Sequence, residues 1–160
     1  MTKSLLRISA LVALTFTASQ MTLLAQDEHS LVGTWDVSVT VRNCSNGGII
    51  RTVRSLQMFD KTGSMTETAN TASRGISLGA WSHGHERDQI FPASYWFFRY
   101  KPDGTFASIA KILDTITVSP DGTEFTSVGT VEDFDQSGTS LSVGCFTHSA
   151  KRLLTPGHLD

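Results

Sequence analysis

One kind of turn recurs along the chain and constrains its fold more than any other feature: Asp60-Lys61-Thr62-Gly63, Lys101-Pro102-Asp103-Gly104, Ser119-Pro120-Asp121-Gly122 and Asp135-Gln136-Ser137-Gly138. In the proline versions, proline presets the first central residue and aspartate suits the second. Glycine then takes the left-handed position that closes a bulged hairpin. Segments on either side of such a turn pair antiparallel. Those segments are apolar and β-branched: Ile49 to Phe59, Met65 to Ala69, a short stretch through Trp81, an aromatic run ending at Tyr100, Thr105 to Val118, Thr123 to Phe134 and Thr139 to Arg152. Ahead of them, Trp35, Val37, Val39 and Val41 alternate with Asp36, Ser38, Thr40 and Arg42, the pattern of a half-buried strand. No part of the mature chain carries helical periodicity. The expectation is an all-β chain of eight strands in meander order, closing as an antiparallel up-and-down barrel, with an open two-sheet sandwich as the competitor.

The length suits a single domain, and 39% hydrophobic with 18% charged residues is ordinary for a globular protein. A net charge of -2 supplies no basic face for nucleic acid. Residues 1–25 read as a signal peptide: Lys3 and Arg7 lead an apolar run from Ile8 to Phe16, and Ala25 offers a small residue at the cut. That run is too short for a bilayer core of about 30 Å, so no stable membrane insertion is expected after cleavage. Residues 26–160 would form one barrel domain in a secreted or periplasmic setting. Cys44 and Cys145 are the chain's cysteines, and an even count in an exported protein reads as a disulfide. Joining the first strand to the last, it would tie the barrel's seam, with Cys44 opposite Cys145 and Val37 opposite Arg152.

Gly33-Thr34-Trp35 at the head of the first strand resembles the Gly-x-Trp motif of lipocalins and the wider calycin group, barrels that usually hold an apolar ligand. The resemblance extends to Arg152 near the end of the last strand, which in that family stacks on the motif's tryptophan. It implies a cation-π contact between Arg152 and Trp35. The chain departs from lipocalins in having no helix after the last strand and no Thr-Asp-Tyr motif. Allene oxide cyclase and dirigent barrels fit that missing helix equally well, and there is a general similarity to exported bacterial barrels of unsettled activity.

The aromatic strand suggests where a ligand would sit. With Lys101 paired to Thr105, Tyr100 falls beside Phe106, Phe98 beside Ser108 and Trp96 beside Ala110. Large rings then face small residues inside, Arg99 and Lys111 face water, and Trp35 closes the floor. Carried across the next hairpins, this register brings Asp114 beside Val128 and Thr126 beside His148. Asp114, Glu132 and His148 would share the inner face as acid and base candidates. His83 and His85 flank Gly84, which favours a turn over a metal-binding strand, so no metal or other cofactor is expected. The readings left open are an exported carrier of a small apolar or aromatic molecule, an isomerase or cyclase using the same cavity, and a filled barrel serving as an interaction module.

Overall fold

The computed structural model describes residues 30–84 and 89–153; the signal-peptide reading and His85 fall outside them. The strands are β1 (Gly33–Arg42), β2 (Ile49–Phe59), β3 (Ser64–Ala69), β4 (Ser77–Trp81), β5 (Ile90–Tyr100), β6 (Phe106–Val118), β7 (Glu124–Phe134) and β8 (Ser140–Leu153). Each pairs antiparallel with the next, and β1 pairs with β8, so the sheet closes into a barrel and the sandwich is excluded. Among the described residues there is no helix.

The recurring turns form as their chemistry requires. Gly63, Gly104, Gly122 and Gly138 have φ of 90°, 81°, 68° and 84°. In each turn an aspartate carboxylate accepts the backbone N–H two residues on, as Asp103 does from Thr105 and Asp135 from Ser137. Hydroxyl bonds from Thr62, Thr105, Ser119 and Ser137, with these N–H bonds second, hold the carboxyls of Asp60, Asp103, Asp121 and Asp135 below the usual range.

One end of the barrel is a solid floor. Trp35, Phe59, Trp81, Phe91 and Phe125 are buried there with Leu31 and Ile116. Their rings meet edge to face, Trp35 on Phe125 at 4.9 Å and Phe59 on Trp81 at 6.2 Å between centroids. The seam is fastened at this end by Arg152, which lies directly opposite Trp35. Its guanidinium carbon is 4.2 Å from the centroid of the Trp35 ring, and its nitrogens donate to the carbonyls of Gly122, Val32 and Ser30. Gly33 is required beside it: φ is 141°, and a Cβ there would stand 2.7 Å from an Arg152 nitrogen.

At the other end of the seam Cys44 and Cys145 form the disulfide, with Cα atoms 5.2 Å apart. The expected register is corrected here by two residues, since Arg42, not Cys44, lies opposite Cys145. The reason is local. β1 leaves the ladder at Arg42, and Cys44 reaches back from the following turn.

Candidate functional site

Three hairpins each carry one residue more than simple alternation counts, and this decides which side chains face inward. Tyr100 pairs with Phe106 as expected, but the register then shifts and Arg99 pairs with Ser108, leaving Ala107 as a bulge. A single extra residue turns the whole of β5 over relative to β6. Trp96 and Phe98 are therefore corrected to the outer face, where they are 43% and 50% exposed. Phe106 meets Phe98 out there, ring centroids 6.3 Å apart, and Tyr100, paired with Phe106, is only half-buried. The inward residues of β5 are Phe91, Ala93, Tyr95, Phe97 and, at the rim, Arg99. Ser108, Ala110 and Trp35 are buried as expected.

The second extra residue lies in the turn between Ser119 and Glu124, and the third is Leu141. Asp114 accordingly pairs with Gly129 rather than Val128, and His148 with Ser127 rather than Thr126. The two shifts cancel between β6 and β8. Asp114 and His148 both point inward, while Glu132, paired with Lys111 and Val143, is corrected to the outer wall.

Above the aromatic floor the interior becomes polar. Ser55, Gln57, Glu67, Ser77, Asp114, Ser127 and His148 are all buried, and Tyr95 stands among them. The Nδ1 of His148 is 3.1 Å from an Asp114 carboxylate oxygen, both side chains sealed from solvent. The two atoms are not aligned as a hydrogen bond, and both carboxylate oxygens of Asp114 lack a hydrogen-bond partner, as do His148 Nδ1, Gln57 Oε1 and Ser127 Oγ. The His148 ring stacks on Phe146 with centroids 4.6 Å apart. Burial, followed by the nearby charges of Glu67 and Asp114, pushes the Tyr95 hydroxyl well above its ordinary pKa, so it keeps its proton.

A second charged group reaches in from the chain after β3. Arg74 donates to Glu67 at 2.5 Å and to Ser77 at 2.6 Å, and Ser77 donates in turn to Glu67 at 2.8 Å. The Arg74 guanidinium lies 3.6 Å from the Phe97 ring centroid, with Arg99 above the same ring at 4.9 Å. Arg99 is held by Asp133 at 2.6 Å, whose carboxylate also accepts from Ser108. At the rim the exposed Arg51 makes no ion pair among the described residues.

Between this polar layer and the rim lies a cavity of about 50 Å³, walled by Phe97, Ile112, Val131 and Phe146, with Tyr95, His148 and Arg74 also on its surface. That volume takes the tip of a molecule, not a retinoid. Larger concavities, of about 560 and 510 Å³, lie against Leu56 and Leu153 and against Leu113 and Val128 on the barrel's outside, and are open surface.

Glu67 and Tyr95 were missed, although Glu67 alternates with Met65 on the inward side of β3 and Tyr95 follows once the bulge is placed. Arg74 was missed as well, and it comes from a loop whose sequence carries no periodicity to mark it. His83 packs at the floor end, its ring 5.1 Å from Trp81. A scan against protein-family models and a search of curated proteins found nothing that matches this chain.

Proposed function

We propose that this protein is an exported small-molecule binding protein whose ligand enters the barrel at the Arg51 end. An apolar or aromatic end would seat against Phe97, Ile112 and Phe146, and a polar group would reach Tyr95 and His148. The observation carrying this reading is a cavity whose apolar wall is joined by two lining residues with a buried nitrogen left without a partner, His148 at Nδ1 and Arg74 at Nε, the arrangement by which binding sites combine affinity with orientation. Because the enclosed volume is about 50 Å³, the ligand's body would lie in the mouth among Val41, Thr71 and Ser73. Arg51 there favours a molecule bearing a negative charge. The Cys44–Cys145 bond supports export to an oxidising compartment. The Gly33, Trp35 and Arg152 latch supports kinship with calycins.

A second reading, an isomerase or cyclase, draws on Asp114, His148 and Tyr95. His148, 3.1 Å from the Asp114 carboxylate, and the Tyr95 hydroxyl both border the cavity as base and acid candidates.

The test is calorimetric titration of benzoate, indole-3-acetate and an anilinonaphthalene sulfonate into wild type and into Val131→Trp, which fills the cavity from β7. Micromolar binding of at least one probe, lost in the filled variant, is expected. Absence of binding to wild type, or equal binding to Val131→Trp, would overturn the proposal.

A further inference from the structure

The outside of the barrel carries a large apolar face on one wall. Following the ladders across this wall, Thr66, Leu78, Trp96, Lys111, Glu132 and Val143 stand side by side on successive strands. Phe98 and Leu113 flank this row, and Leu78, Phe98, Leu113 and Val143 are each half or more exposed. At ~200 Å² for a large apolar side chain in full exposure, these residues with Trp96 present on the order of 500 Å² of apolar surface, the size of patch that is often functional on a monomer. The wall of β1 and β2 is mixed: Asp36, Ser38, Thr40 and Arg54 face out, Asp36 pairs with Arg54, and Leu56 and Met58 are about half exposed beside them. Lipid would demand an outer belt free of charge, and Asp36, Arg54, Lys111 and Glu132 interrupt it. An apolar face with charges set in it fits a protein.

The charges in the row narrow the partner. Lys111 and Glu132 are direct cross-strand neighbours, yet neither forms an ion pair among the described residues. The Lys111 ammonium instead sits 5.3 Å from the Trp96 ring centroid. Two opposite charges side by side on an apolar face are self-complementary under a two-fold axis: Lys111 of each copy meets Glu132 of the other. With the polar rim of Thr66, Ser94 and Thr130 included, the face approaches the ~800 Å² per partner of a standard interface.

We propose that this protein forms a symmetric homodimer through the outer wall of β4 to β8, centred on Lys111 and Glu132. The inference is independent of the cavity. It also gives Trp96 and Phe98 a role, since aromatic anchors at the centre of a patch are what interfaces enrich.

Sedimentation velocity of the oxidised protein over a wide concentration range tests it. Wild type should sediment as a dimer. Lys111→Glu and Glu132→Lys should each halve the mass with unchanged far-ultraviolet circular dichroism, and the double swap, which restores opposite charges across the axis, should recover the dimer. Leu78→Glu, on an exposed position, should give a monomer that no charge swap rescues. A wild type that is monomeric throughout, association with neutral lipid vesicles in place of self-association, or a dimer indifferent to all these changes would overturn the proposal.

Discussion

The guanidinium of Arg152 covers the indole of Trp35 and at the same time donates to the carbonyls of Ser30, Val32 and Gly122. One side chain on the last strand thus holds the segment before β1, the β6–β7 turn and the floor of the core. Arg152→Ala should lower stability by about 3 kcal/mol, since the lost bonds come from a charged donor and leave carbonyls unpaired. Arg152→Lys should recover little of that, because an ammonium cannot cover a ring and fork to three carbonyls at once. Chemical denaturation compares the variants, and a loss below about 1 kcal/mol in Arg152→Ala would contradict this account.

The disulfide should contribute on the order of 4 to 5 kcal/mol in the chain-entropy account, because it closes a loop with a sequence separation of 101. Urea midpoints with and without reductant measure it, and Cys44→Ser with Cys145→Ser should match the reduced wild type. Near-coincident midpoints would mean that the ladder between β1 and β8 closes as readily without the bond.

The turn aspartates set the acid limit of the fold. Asp121 is held at a pKa of about 2, first by the Ser119 hydroxyl and then by Thr123, and Asp60, Asp103 and Asp135 are lowered by the same kind of bonds. A depressed folded pKa gives stability that is present above the unfolded value of 3.8 and lost as pH falls toward 2. Urea midpoints should therefore be level with respect to these groups above about pH 5 and decline below about pH 4. Asp121→Asn should flatten part of that decline, and an unchanged acid slope would exclude Asp121 as a contributor.

The Asp114–His148 pair is expected to be maintained at the expense of stability. Asp114→Leu or His148→Phe alone should destabilise by about 3 kcal/mol, because each leaves its partner buried without compensation. Both together should recover most or all of that loss, while abolishing binding of whichever probe the wild type takes up. Thermal denaturation of the single and double variants decides this, and strictly additive losses would show that the two groups do not act as a pair.

Much of the architecture was legible because turns and alternation are local. Asp60, Asp103, Asp121 and Asp135 announced their hairpins, and the alternation from Trp35 to Val41 announced the seam strand. Facing was harder, for a physical reason. Tyr95, Trp96, Phe97 and Phe98 are consecutive rings, so β5 offers aromatics to both sides and its pattern does not choose between them. The choice rested on Arg99 and Lys111 facing water, and Arg99 in fact turns inward to Asp133 at the rim. A bulge such as Ala107 has no residue signature of its own, yet it exchanged the inner and outer walls of that strand. His148 was found on the inner face with Asp114 because two later one-residue shifts offset each other.

The two fastenings of the seam also bear on the order of assembly. Neighbouring strands elsewhere in the wall pair across short connections, whereas β1 and β8 must find each other from opposite ends of the domain. Such a closure is the slowest kind of contact to form, and until it forms both edge strands stay open to other chains. Oxidation of Cys44 with Cys145 turns that long-range search into a local one. In an oxidising compartment the barrel can therefore shut before its edges meet a neighbour, and a chain kept reduced would fold slowly and aggregate from its first and last strands.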